Sequence, residues 1–220
     1  MVQRISVVWD VLLDKYDYYV NRQNPESSAP CYVVLKSVFK PGWAGNLASN
    51  LASLGSKVDL FGVVGVDSNS KILKELLESN GVNQKLFFDK NNSAILKERT
   101  MDFDDGRYHL RKDYEKRVFV SKEQCEEFVQ NLSNYELIVV SDYDKGTISQ
   151  ELVEKIKEFG SVIIVDSKPK NFHFFNNVFL IKPNLKEAQQ FSGFVGYKEA
   201  GEFVRNKLNS RVLLTRGRME

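Results

Sequence analysis

Cysteine is nearly absent: Cys31 and Cys125 stand alone, in different kinds of segment. Two isolated thiols build neither a disulfide framework nor a zinc site, so they read as packed or half-exposed side chains in a reducing cytosol. Histidine is as rare, and neither His109 nor His173 has a second ligand at metal spacing. No apolar run approaches the roughly 18 residues of a membrane span. The opening MVQRISVVWD has too short an apolar run and too acidic a flank for a signal peptide, and reads as a first buried strand. Neither sign of charge dominates, since 31 basic residues face 29 acidic ones. That balance gives no electrostatic case for nucleic acid or for an anionic membrane. Repeats, low-complexity tracts and linkers are missing as well. The expectation is one cytoplasmic domain over residues 1–220, with at most a small appendage.

What is present is an alternation. RISVVWD (4–10), KVDLFGVVG (57–65), ELIVVSD (136–142), SVIIVD (161–166), NVFLIKP (177–183) and RVLLT (211–215) read as buried strands. Helical patterns lie between them at 43–55, 68–81, 121–134, 149–160, 184–193 and 197–209. Ser121 and Ser149 stand at N-cap positions, and Gly55, Gly81 and Gly160 where helices stop. Continuous apolar strands alternating with helices predict an α/β fold of three layers, with a mostly parallel central sheet. Two stretches break the rhythm, at about 15–40 and 84–115. Their polar, aromatic alternation and the Asp-Asp-Gly turn predict a half-exposed β-flap, or lid, over one end of the sheet.

Ligands of an open parallel sheet bind beyond the carboxyl ends of its strands. Polar residues recur at that level: Asp10, Asp67, SDYDKG (141–146), VDSKPK (165–170), KPNLKE (182–187) and TRG (215–217). Five glycines crowd FKPGWAGNLASNLASLGSKVDLFGVVGVD (39–67), where close approach of backbone to a ligand would justify them. The sequence argues against a dinucleotide-binding oxidoreductase, because no Gly-x-Gly-x-x-Gly follows the first strand.

In order and spelling the chain resembles the ribokinase-like (pfkB) sugar kinases, and within them the branch that phosphorylates heptose 7-phosphate. The resemblance rests on nine pieces: DVLLDKY (10–16), NPES (24–27), PGWAGNLASNLASLG (41–55), GVVGVD (62–67), LRKDYE (110–115), SDYDKG, VDSKPKNF (165–172), KPNLKEA (182–188) and LLTRG (213–217). It implies phosphoryl transfer from ATP with Mg²⁺ to the anomeric hydroxyl of heptose 7-phosphate, a step in supplying ADP-heptose for lipopolysaccharide core. It also implies a homodimer formed through the flap.

The resemblance further implies that Asp10, Asp14 and Asn46 hold sugar hydroxyls, with Gly42 and Gly45 bringing backbone close to the sugar. Read from sequence alone, Asn46 fits a helix N-cap equally well, and Asp14 a solvated turn. Arg22, and Arg111 with Lys112, are flap cations that would grip the substrate phosphate, or else surface charges. Asn184 and Glu187, one helical turn apart, suit a water-bridged Mg²⁺ near ATP, or a capping pair with an exposed Glu. Lys168 resembles the lysine that approaches ATP phosphates, and Thr215, Arg216 and Gly217 a nucleotide-contacting strand end. Asp142 and Lys145 line the cleft by the same analogy.

Two departures qualify the likeness. Trp9 and Trp43 stand where the family has glycine, so that each ring either crowds the sugar pocket or lies outside it. The Asp-x-x-Gly-Ala-Gly-Asp segment that supplies the family's anion hole and general base occurs nowhere in the sequence. The expectation is therefore a C-terminally truncated kinase fold with no catalytic base, and its alternative a silent sugar-phosphate-binding or dimerisation module.

Overall fold

The computed structural model describes residues 4–117 and 120–217; the side chain of Trp9, expected to bear on the sugar pocket, lies outside the described residues. In chain order the elements begin β1 (Arg4–Trp9), β2 (Val11–Arg22), β3 (Cys31–Trp43), α1 (Ala44–Ser53), β4 (Lys57–Val64) and α2 (Ser68–Ser79). Next come β5 (Asn83–Phe88), β6 (Ile95–Asp102), β7 (Tyr108–Tyr114), α3 (Lys122–Leu132), β8 (Leu137–Asp142) and α4 (Gln150–Lys157). The last are β9 (Val162–Ser167), β10 (Leu180–Ile181), α5 (Leu185–Ser192), α6 (Tyr197–Leu208) and β11 (Arg211–Val212), with a 3₁₀ turn at Pro169–Phe175 after β9.

Seven strands form one parallel sheet in the order β11-β10-β9-β8-β1-β4-β5. β1 lies inside it because its side chains feed two cores. Ile5 and Val7 pack with α1 and α2 on one face, while Val8 packs with α3, α4, α5 and α6 on the other. That alternation is the two-residue period of a strand buried on both sides. Helix ends follow local chemistry. Ser121 and Ser149 cap α3 and α4 through their hydroxyls, and Gly55 and Gly81 take positive φ after α1 and α2. On α4, Leu152, Val153 and Ile156 are buried together, each worth about 2 kcal/mol of transfer free energy.

The flap is a second sheet in the order β3-β2-β6-β7. One expected boundary is corrected here. Residues 83–88 do not belong to the flap: β5 pairs in parallel with β4 and forms the edge of the main sheet. Its Leu86 and Phe87 pack against the two cores, which a solvated lid strand would not do. β2 and β3 also run further into the molecule than expected, from Val11 and up to Trp43, so Asp14 and Gly42 sit at the base of the flap.

Candidate active site

The strand order reverses at β1, with β4 and β5 on one side and β8 to β11 on the other. The crevice between the carboxyl ends of β1 and β8 is the place where an open sheet leaves room for a ligand. Asp10 and Asp142 close its floor. Asp10 is 2% exposed and accepts hydrogen bonds from the Thr147 hydroxyl (2.8 Å) and from the backbone N–H groups of Tyr143 (2.7 Å) and Lys145 (3.3 Å). Burial pushes its carboxyl up to about 6, with the Asp142 carboxylate adding to the rise and the hydrogen bonds opposing it. Asp142 accepts from Ser167 Oγ (2.6 Å), Asn171 Nδ2 (2.9 Å) and the backbone N–H of Asp144 (2.9 Å). These two carboxylates fix the loop after β8 to its neighbours; neither lines the open space above. Asp10, expected on a sugar hydroxyl, is placed one layer beneath it.

Above them a cavity of about 570 Å³ opens between the flap and the strand ends. Asp14 and Arg99 form its flap side as an ion pair, and Lys40 and Tyr16 stand beside them. The Tyr16 ring has the Lys40 ammonium 5.5 Å and the Arg99 guanidinium 5.1 Å from its centroid. Gly42 lets Asp14 take this position, since a Cβ there would lie 2.7 Å from Asp14 Oδ2 and overlap Leu12. Gly45 serves packing instead: it lies inside α1, and a Cβ would come within 3.0 Å of Pro41. Asn46 is exposed within α1 and lines the cavity, so it is not the helix N-cap; Trp43 is. On the sheet side lie Ser141, Tyr143 and Asp166, the last ion-paired with Lys182 at 3.0 Å. The Asn46 amide, the Ser141 hydroxyl, the Lys40 ammonium and the Trp43 indole N–H make no hydrogen bond or ion pair to the described residues.

Trp43 brings its ring into the cavity wall, which resolves the choice left by the sequence. It stacks on Tyr143 with ring centroids 4.3 Å apart and planes 4° from parallel, and Lys97 and Lys145 bring ammonium groups to 4.5 and 5.8 Å of its centroid. Burial and the neighbouring carboxylates of Asp166, Glu187 and Asp10 push the Tyr143 phenol up to about 12, so it stays neutral.

The Tyr143 ring leads on to Lys168, whose ammonium is 4.7 Å from its centroid and 2.8 Å from Glu187 Oε1. Asn184 and Glu187 do form a capping box, with Glu187 Oε2 accepting from the Asn184 N–H at 3.0 Å, but Glu187 is buried. Asn184 bridges in parallel to Thr215, which brings Thr215, Arg216 and Gly217 to the same end of the sheet. Both Glu187 oxygens already hold a protein donor. Among the described residues no group of three or more His, Cys, Asp or Glu side chains could hold a metal. The residues thus fit Mg²⁺ only through water, at the lone pairs that remain on Glu187.

Two expected phosphate clamps fall outside this space. Arg22 is exposed and pairs with Cys31 at the far end of the β2–β3 ribbon. Arg111 lies on the edge strand β7, held to Asp113 at 2.7 Å. The arginine of the cavity is Arg99, brought beside Tyr16 because β2 and β6 pair in parallel with Tyr16 opposite Arg99. Sequence reading passed over it together with Lys40, while Tyr16 and Asp166 stood inside quoted motifs without a role. The available signal was Lys97 and Arg99, two apart on one face of a strand, but choosing that face needs the β2–β6 register.

Residues 3–218 match the pattern of the pfkB family carbohydrate kinases. The chain belongs to that family. Among the relatives of this pfkB-family chain, the bifunctional protein HldE of Coxiella burnetii is 30% identical over 228 residues, covering 98% of this chain and 47% of the relative. HldE of Desulfatibacillum aliphaticivorans is 33% identical over 200 residues, covering 86% and 40%. The chain therefore spans about half the length of the curated relatives it matches. Among solved structures, Escherichia coli phosphofructokinase-2 in complex with fructose-6-phosphate superposes with a TM-score of 0.79 at 19% identity, over 99% of this chain and 75% of that one. That likeness carries the ribokinase-like fold.

Proposed function

We propose that the cavity binds a phosphorylated sugar and that the domain is built to phosphorylate it from ATP, the acceptor being the anomeric hydroxyl of heptose 7-phosphate. One observation carries this reading. Unengaged amide, hydroxyl and indole donors share a single cavity with two cations, Lys40 and Arg99, between the flap and the strand ends. Hydroxyls need groups that both donate and accept, and a phosphate needs positive charge. A structural neighbour was solved with fructose-6-phosphate, and the relatives are named HldE, which favours a phosphosugar of the heptose branch. Asp14 and Asn46 orient sugar hydroxyls, Arg99 and Lys40 take the phosphate, and Lys168 meets a nucleotide phosphate. Bound Mg²⁺ would neutralise phosphate charge beside Glu187, through water. Thr215, Arg216 and Gly217 continue the nucleotide side, and ADP-heptose synthesis for lipopolysaccharide core is the setting this implies.

A second reading has its own support. The unengaged donors and the cations of the cavity suit binding without turnover equally well, as in a silent sugar-phosphate-binding module. Titrating the chain with heptose 7-phosphate by calorimetry, and then assaying ADP release with ATP and Mg²⁺, separates the two. Binding with turnover establishes the kinase, binding without ADP the module, and absence of binding removes both. The flap suits a homodimer, with Val34 and Leu35 exposed on β3 and Tyr108, Leu110 and Tyr114 on β7. Light scattering at micromolar concentration tests it.

A further inference from the structure

Trp43 breaks a local rule at the cavity wall. Its backbone takes φ 45°, ψ −117° at the N-cap of α1, in the half of the map that glycine tolerates and a branched or bulky residue avoids. The surrounding contacts hold it there. Tyr143 lies parallel to the indole at 4.3 Å and fills one face. The Lys97 ammonium, 4.5 Å from the same centroid, must then sit over the opposite face. By the same reasoning Lys168, 4.7 Å from the Tyr143 centroid, covers the outer face of that ring. The result is a column of Lys97, Trp43, Tyr143 and Lys168, running from flap strand β6 to the end of β9. Each contact is modest, but all of them favour one placement of the indole.

With both faces taken, only an edge of the indole is left for the cavity. The N–H on the ring makes no hydrogen bond to the described residues. Resting on the reading of this cavity as a phosphosugar site, we propose that Trp43 is its specificity-determining residue. The indole is a fixed wall that selects among terminally phosphorylated aldoses by carbon-chain length. Arg99 and Lys40 hold the phosphate on the flap side, so the length of the carbon chain decides how its other end meets the indole edge. The N–H donates to a hydroxyl oxygen of the chain that fits. A wall of this kind discriminates, because one carbon more or less in a shaped pocket changes binding by about tenfold or more.

The test compares dissociation constants for an aldohexose 6-phosphate and an aldoheptose 7-phosphate, measured by calorimetry on the 220-residue chain. Wild type should separate the two by about tenfold or more, and Trp43→Gly, which suits the backbone but removes the wall, should bring the ratio below about threefold. Trp43→Phe should keep most of the discrimination. Lys97→Met, which frees one face of the indole without changing the cavity lining, should reduce it to about threefold and serves if the glycine variant does not fold. An unchanged ratio in Trp43→Gly or Lys97→Met, or equal loss for both sugars, overturns the proposal. Wild type that binds both sugars equally overturns it too, while leaving the phosphosugar reading intact. Wild type that binds neither overturns that reading itself.

Discussion

The strand rim and the cavity above it treat polar groups in opposite ways. On the rim, Asp10, Asp142 and Glu187 are buried, and each of their carboxylate oxygens accepts from a donor of the chain. In the cavity, Asn46, Ser141, Lys40 and the Trp43 indole keep their donors without partners among the described residues. A carboxylate with both oxygens held by its own protein serves first as framework, and a ligand meets only the lone pairs that remain. A donor left idle in a cavity is available to a ligand. The rim therefore holds the site in shape, and the cavity is where the proposed phosphosugar would find free partners.

Breaking the rim should cost stability first. Asp142→Ala strands three donors in a dry environment, with an expected loss of about 3 kcal/mol in urea denaturation. A loss below about 1 kcal/mol would mean that the rim is not framework.

Asp10 sharpens the same point through pH. Its folded carboxyl titrates near 6, above the ordinary value of 3.8, so the folded state holds the proton more tightly than the unfolded chain. Its contribution to stability is then fully present below about pH 4 and falls as pH rises through about 6, by up to about 3 kcal/mol. Asp10→Ala should accordingly be more destabilising at pH 4 than at pH 7. Denaturation midpoints of both chains across that range check the sign, which is opposite to that of Asp59 and Asp67, held below the usual carboxylate range despite burial by hydrogen bonds from Arg4 and Ser70 respectively.

Changes in the cavity should move binding and leave stability almost alone. Arg99→Ala should weaken phosphosugar binding by about 30-fold, while Arg111→Ala, on the outer edge, stays within about twofold. Equal losses for both would erase the distinction between cavity and edge. Smallest of the four, Asn46→Ala should cost about tenfold in affinity and less than about 0.5 kcal/mol in stability, since its amide holds nothing in the free chain.

Much of this was legible before any coordinates. The parallel sheet, the six helices and the caps at Ser121 and Ser149 follow from apolar periodicity and local hydrogen bonding, which act over a few neighbouring residues. No helix among the described residues is long and apolar enough to cross a membrane. Lys168, Asn184 and Glu187 come together at one end of the sheet. The assignment of 84–88 to the flap failed, because alternating residues at a sheet edge look the same whether they pair with core or lid. Arg99 was missed for a related reason. Strands of two residues' period present either face, and only the pairing of Tyr16 with Arg99 chooses one.

By itself the sequence determined the layers, the order of elements and the family, since these depend on the pattern of apolar residues and on short motifs. Only the tertiary structure decided which polar residues are spent on the protein and which are left for a ligand. Asp10 and Asp14 look alike in DVLLD, yet one is a buried staple and the other a cavity wall. That difference comes from partners more than 80 residues away in the chain, Thr147 for Asp10 and Arg99 for Asp14, whose approach no local pattern encodes.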